Sequence, residues 1–403
     1  MNQDVSDLST SLIADSVALQ HFIQSLKEAP FVTIDTEFLR DKTYWPQLCL
    51  VQIAGPQSAA AIDTLAAGID LTPLVELLND RKILKVFHAA RQDVEIFFRL
   101  SGKIPQPIVD TQVMAMVCGY GDAASYETLA TKLANASIDK SSRFTDWARR
   151  PLTDRQLKYA LSDVTYLRVV YEKLQHKLDE SGRTEWVADE MAILTDPATY
   201  TLAPEDAWQR LKIRSDKPRF LAVLREIAAW REREARERDI PRSRLIKDEQ
   251  LLEIAAHPPR DADALAQCRG VTKGFADGRM GEAILAAVKR AMELSEADSP
   301  RLPPRPDLPP GLGPLIDLLR VLLKTRCDQH EVAQKLIANA DDLERIAADD
   351  RADVPALSGW RRKVFGEEAL ALKHGKLALT AAGKKVKIIP VPQSSLVHSD
   401  AAH

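Results

Sequence analysis

Every stretch of the chain that reads as a β-strand lies before residue 90, and from about residue 200 onward only helical periodicity remains. The first half must therefore build a sheet, and the second must be made of helices. Strand candidates are 31–38, 48–54, 59–63 and 83–88. Helical spacing runs near 15–27, 71–79, 90–100, 111–118, 125–135 and 154–176. The first two strands follow closely and the helices come mostly later. That order predicts an α/β domain with a mixed sheet flanked by helices, not a purely parallel one. The helical half is split by DSPRLPPRPDLPPG (298–311), a linker in which proline removes donors and favours extended backbone. The expected units are 1–195, a first helical domain at 205–292, the linker at 293–311, a second helical domain at 312–385 and a frayed polar tail at 386–403. The two helical segments share a loose plan, a Leu-rich basic helix and then a short acidic-capped one, which reads as a diverged tandem repeat.

At 403 residues the chain is long enough for two or three domains. No apolar run approaches the roughly 18 residues of a membrane span. The opening MNQDVSDLSTSLIADS lacks a signal-peptide pattern, so a cytoplasmic protein is expected. Cys49, Cys118, Cys268 and Cys327 are far apart and include no C-x-x-C pair, which predicts buried free thiols. There is no G-x-x-x-x-G-K-[ST] loop, so no use of ATP is expected.

The strand FVTIDTEF (31–38) ends in two acids spaced two apart. Side chains alternate along a strand, so Asp35 and Glu37 share one face with Phe31 and Thr33. Two like charges at about 4 Å repel by about 4 kcal/mol at an effective dielectric of about 20. Protonation, exposure to water or a bound cation relieves that repulsion. In AARQDVEIFFRL (89–100), helical spacing puts Asp93 on the inward stripe, where a cap or a structural ion pair is the plain alternative. TDRQ (153–156) is a capping box that opens a long helix. On that helix Tyr159 and Asp163 lie one turn apart on one face, where a satisfied hydrogen-bonded pair is the alternative to a functional role. Four carboxylates converging from elements that must pack together require cations. Hard oxygen donors select Mg²⁺ or Mn²⁺, and two such ions can clamp an in-line phosphoryl displacement.

At these residues the chain resembles the DEDD exonuclease superfamily, in the branch whose third motif carries Tyr, and within it the ribonuclease D family. The motifs are TIDTEF with Asp35 and Glu37, FHAARQDVEIF with Asp93, and LKYALSDVTYL with Tyr159 and Asp163. YWPQLCLVQIA (44–54), VDTQ (109–112) and DKSSRFTDWARRPLTDRQ (139–156) are similar too. The superfamily often has Asn four before the second-motif Asp, and here that position is Ala89. The resemblance implies a ribonuclease H-like fold and metal-dependent 3′–5′ hydrolysis of RNA to nucleoside 5′-monophosphates, with trimming of precursor tRNA 3′ trailers. It implies that Asp35, Glu37 and Asp163 hold one ion, that Asp35 bridges to a second reached by Asp93, and that Tyr159 positions the attacking water. Glu37 would also meet the terminal 3′ hydroxyl. His88 has substrate contact as one reading and closure of a strand end as the preferred one. A DNA 3′–5′ exonuclease and an idle RNA-binding scaffold are the rival readings.

FLAVLREIAAWREREARERDIPRSRLIKDEQLLEIA (220–255) resembles the HRDC domain, and 312–385 looks like a more diverged copy. Residues 209–247 hold 13 Lys or Arg against 6 Asp or Glu, a local +7 on a chain of net −3. Such a basic island predicts phosphate contact, with an ion-paired solvated helix as the alternative. Removing 205–403 is expected to flatten the salt dependence of RNA binding. The partner is RNA, with no membrane, and a monomer is expected.

Overall fold

The computed structural model describes residues 8–302 and 308–392. The first lobe is built from β1 (Ser9–Ile13), α1 (Ser16–Ser25), β2 (Phe31–Leu39), β3 (Gln47–Ala54), β4 (Ser58–Asp63), α2 (Thr72–Asn79), β5 (Leu84–Phe87), α3 (Arg91–Ser101), β6 (Ile108–Asp110), α4 (Thr111–Val117), α5 (Tyr126–Ala134), α6 (Asp154–Ser181) and α7 (Thr184–Thr195). Its six strands form one mixed sheet in the order β1-β4-β3-β2-β5-β6. β3 runs antiparallel to β2 and β4, while β5 pairs parallel to β2. β2 is therefore interior, and its Val32 and Ile34 are fully buried.

The sheet is sandwiched between two helical layers. One face packs Val32, Ile34, Val51 and Ile53 against Leu19 and Ile23 of α1, Leu74 of α2 and Phe97 of α3. The other is crossed by α6, whose Val164 carbonyl accepts from Thr33 Oγ1 at 2.7 Å. The predicted capping box opens α6, with Thr153 and Gln156 bonded reciprocally. β1 and β6 were not expected. They are edge strands of five and three residues, too short to show a period.

The remaining helices are α8 (Pro218–Glu237), α9 (Arg242–Leu245), α10 (Asp248–Ala256), α11 (Ala262–Gln267), α12 (Lys273–Ala276), α13 (Arg279–Glu293), α14 (Gly313–His330), α15 (Gln334–Ile337), α16 (Ala340–Ala348), α17 (Gly359–Arg361) and α18 (Glu367–Lys373), the last two joined by a π-helical turn. The α8–α13 group encloses its own core of Leu221, Leu224, Ile227, Ile254 and Ile284. The α14–α18 group does not stand apart. Leu319, Leu323 and Phe365 share one core with Met114 of α4 and Val170 and Leu174 of α6. Trp186 stacks on Trp360 at 4.1 Å, and Ala333 N–H donates to the Met116 carbonyl at 2.9 Å. A Cβ on Gly119 would stand 2.8 Å from the Glu331 carbonyl oxygen, so only glycine permits that approach.

Two expectations are corrected. The helical half contains a hairpin, β7 (Leu377–Ala382) and β8 (Lys385–Pro390). It turns through Gly383, at φ +63°, and Lys384, the geometry of a turn with glycine at its first central position. Residues 386–390 are thus strand, not tail, while 393–403 lie outside the described residues, as do 303–307 of the expected linker. Leu377, Leu379 and Ile388 rest on the helical core, and that burial orders the segment. All four cysteines are buried free thiols. Among the described residues no helix is long and apolar enough to cross a membrane.

Candidate active site

The acidic end of β2 lies between the two helical layers. A bulge between Glu37 and Phe38 shifts its register with β3, two residues before the strand ends at Leu39. Asp163 comes from α6 on one face of the sheet and Asp93 from α3 on the other. Asp35, Glu37 and Asp163 each present a carboxylate oxygen within 4.8 Å of the others, a grouping able to hold a cation. Tyr159 lies one turn before Asp163, with its phenol toward that carboxylate. Asp93 is not within that trio. It is buried beside it and accepts the Thr36 hydroxyl. Its place in the first turn of α3 suits an anion, because free N–H groups point there.

Electrostatics follow from this crowding. Burial pushes the Asp35 carboxyl up to about 6, against a bond from the Thr36 backbone. Burial and then the charges of Asp35, Asp163 and Asp93 push Glu37 up to about 10. Asp93 and Asp163 are raised well above the usual range, first by burial and then by Asp35. Burial raises the Tyr159 phenol, with Asp163 adding to the effect, so it stays protonated. Four such acids cannot all ionise without compensation. They must hold protons or cations, and an all-oxygen donor set suits hard divalent ions.

The cleft above these acids encloses about 910 Å³. Its rim carries Lys140, Arg143 and Phe144, none of them singled out from sequence alone. Phe144 is 90% exposed, an unusual state for a phenylalanine on a cleft wall. The loop that bears it is anchored from below. Arg150 forks onto Asp63 at 2.6–2.7 Å, and Gln156 Nε2 donates to Thr145 at 3.1 Å. An aromatic set among Lys and Arg was the available signal. His88 follows the last residue of β5, with Nδ1 3.0 Å from Thr111 Oγ1, whose hydroxyl donates to the Phe87 carbonyl. Burial lowers its pKa, and it also lines the cleft.

Asp110 was missed, although VDTQ contains it. Its two carboxylate oxygens accept the N–H groups of Ala89 and Ala90, each at 2.9 Å, and Oδ1 also caps Gln112 N–H. The clamp holds Ala89 at φ +57°, in the left-handed region that Asn tolerates better than Ala. The turn it fixes launches α3 and so sets Asp93. The available signal was an Asp before Thr-Gln at a strand end, a helix cap.

The basic island is more self-paired than its charge count implied. Arg225, Arg231, Arg233, Arg236, Arg238 and Arg242 all pair with Asp or Glu. Arg219 instead caps carbonyls at the end of α13.

Comparison with known proteins agrees with this geometry. Residues 11–179 match the family model described as 3′-5′ exonuclease, and 220–288 match the HRDC domain. The chain is 52% identical over 382 residues to ribonuclease D of Granulibacter bethesdensis, covering 94% of this chain and 97% of that one. It is 51% identical over 379 residues to ribonuclease D of Gluconacetobacter diazotrophicus, covering 94% and 96%. The crystal structure of Escherichia coli RNase D, described as an exoribonuclease involved in structured RNA processing, superposes with a TM-score of 0.77 at 30% identity. That match covers 91% of this chain and 99% of that one.

Proposed function

The chain belongs to the ribonuclease D family and is a hydrolytic 3′–5′ exoribonuclease, and from that premise we propose that Asp35, Glu37, Asp93, Asp163 and Tyr159 form its catalytic centre. It trims 3′ trailers of precursor tRNA and releases nucleoside 5′-monophosphates. The observation that carries this assignment is the trio of carboxylates gathered within 4.8 Å at a β2 end, on the floor of a nucleotide-sized cleft.

Two divalent ions, Mg²⁺ or Mn²⁺, held by Asp35, Glu37, Asp163 and Asp93, would neutralise these acids and stabilise the charge that develops in an in-line phosphoryl displacement. The chain itself does the positioning. Asp110 fixes the turn before α3 and thereby the depth of Asp93. Tyr159 keeps its proton, accepts its orientation from Asp163, and directs its hydroxyl to the attacking water. Glu37 meets the terminal 3′ hydroxyl. Arg143 and Lys140 draw the phosphates toward the acids, and Phe144 offers a face for a base to stack on.

The helical segments 205–292 and 312–385 act as an HRDC domain and a diverged copy of it. The order of long helix, one-turn helix and nine-residue helix in both supports that repeat: α8, α9, α10 in one and α14, α15, α16 in the other.

The test is digestion of a 5′-labelled tRNA with a short 3′ trailer, with Mg²⁺, with Mn²⁺ and with EDTA, beside Asp35→Ala. A metal-dependent ladder that shrinks from the 3′ end and is absent from the variant supports the reading. An intact trailer under both metals rejects it.

A further inference from the structure

Beside the catalytic cleft lies a second concavity of about 390 Å³, walled by α3, the 199–202 connector and α8. It is separated from the cleft by Arg40 and Gln92, which line both. Six guanidinium groups surround it: Arg40, Arg91, Arg99, Arg210, Arg236 and Arg242. The acids near them are fewer. Glu95 takes Arg40 in a two-pronged pair at 2.9 and 3.0 Å. Glu232 is shared by Arg236 and Arg242. Asp239 faces the seam through its bond to Trp45 N–H and its attraction for Arg99. Six cations against these three acids leave about +3 in a space of nucleotide size.

The unbalanced charge is localised. Arg99 lies over Trp45, its guanidinium carbon 3.1 Å from the ring centre, and forms no ion pair among the described residues. Arg91 and Arg210 are exposed and form no ion pair among the described residues. Arg91 opens α3, and Arg210 ends a short 3-10 helix, Pro204–Arg210, that precedes α8. Cations gathered without enough acids raise the local concentration of anions and bind those able to bridge them.

We propose that this chamber holds backbone phosphate of the RNA whose 3′ end occupies the cleft, the strand passing from the acids over Arg40 into the seam between α3 and α8. The inference rests on the exonuclease reading, because a strand consumed from its 3′ end must leave the cleft on its 5′ side. The neighbouring chamber shares a wall with the cleft and carries the charge such a strand needs. The first HRDC segment thereby gains a defined role, since α8 and the connector leading into it close one side of the phosphate path. A free nucleotide phosphate has the same chemistry, and the test separates the two sources.

The test compares wild-type protein with Arg91→Gln/Arg210→Gln, two exposed changes made in the full chain. Anisotropy of a 5′-labelled single-stranded RNA of about 12 nucleotides is followed in EDTA across a range of salt, so that hydrolysis plays no part. Hydrolysis of a dinucleotide, too short to leave the cleft, is measured separately with metal. The variant is expected to bind the longer RNA roughly tenfold more weakly, with a log–log salt slope smaller by about 1.4, near 0.7 for each lost phosphate contact. Dinucleotide hydrolysis is expected to match wild type. Equal affinity and slope for the two proteins overturn the proposal. An equal loss on the dinucleotide also overturns it, placing the effect in the cleft. Weaker binding of adenosine 5′-monophosphate with unchanged binding of the longer RNA assigns the chamber to free nucleotide and overturns the strand path. If wild-type protein cleaves no RNA, the exonuclease reading fails while the binding result still stands.

Discussion

The Tyr44 hydroxyl donates a hydrogen bond to the carboxylate of Glu232, 188 positions further along the chain. Tyr44 follows β2 by five residues, and Glu232 is a buried acid in the C-terminal third of α8. Arg236 and Arg242 close around the same carboxylate and around the Tyr44 oxygen. This buried contact ties the first helical segment to the loop that leaves the acidic strand.

Glu232→Gln therefore strands two guanidinium groups at the seam. We expect a loss of about 3 kcal/mol, read as a lowered melting temperature. The pairs hold the Glu232 carboxyl down to about 2, below its ordinary 4.5. A lowered acid stabilises the fold above its unfolded value and loses that contribution as pH falls through the folded one. Wild type should thus lose this part of its stability between about pH 4.5 and pH 2, and the variant should show a flatter curve there.

The clustered acids of the cleft behave in the opposite sense. Asp35 and Glu37 are raised to about 6 and about 10 from 3.8 and 4.5. Their contribution in metal-free protein is complete below those ordinary values and is lost as pH rises through the folded ones. Melting in EDTA should fall between pH 5 and pH 8, and Mg²⁺ or Mn²⁺ should restore it by a larger margin at pH 8. A metal-induced shift that is the same at both pH values would contradict the arrangement.

Asp163→Ala should cost on the order of a thousandfold in kcat while leaving a folded protein. In EDTA the same variant should melt higher than wild type, because one of the crowded carboxylates is gone. A near-normal rate in metal-replete Asp163→Ala would sink the site assignment.

Phe144→Ala should raise KM for RNA by about tenfold with a smaller effect on kcat, since stacking of a base on an aromatic contributes about 1–3 kcal/mol. Phe144→Trp should restore it. Failure of Trp to rescue would mean the side chain serves the loop and not the base.

The parts of the fold readable from sequence were those with a strong period. Val32 and Ile34 marked the interior strand, and the box at Thr153 and Gln156 opened the long helix where it was expected. Asp35 and Glu37 were legible as neighbours because they alternate onto one strand face, and Tyr159 and Asp163 because they lie one helical turn apart; that the two pairs meet was expected only from elements that must pack together and from the family resemblance. Long-range pairing was not legible. Nothing local reveals that Asp110 clamps the 89–90 peptide, or that Arg242 and Tyr44 meet at Glu232, although the Arg236–Glu232 pair has the one-turn spacing of a helical ion pair. The hairpin at 377–390 was missed because its few apolar residues count only once a core exists to receive them.

Deleting 205–403 is accordingly a poor probe of RNA contact. It would remove Leu319, Leu323 and Phe365 from the core they share with α4 and α6, and leave Trp186 without its stacking partner. The same shared core imposes an order on biosynthesis. A chain emerging from the ribosome carries all four acids of the cleft once residue 163 is out, yet one flank of the sheet domain waits for partners some 150 to 200 residues later. Until then that apolar flank is open to water, to chaperones and to neighbouring nascent chains. A nuclease that finishes packing only when nearly all of it has been translated is a mature enzyme late, at the end of its own synthesis.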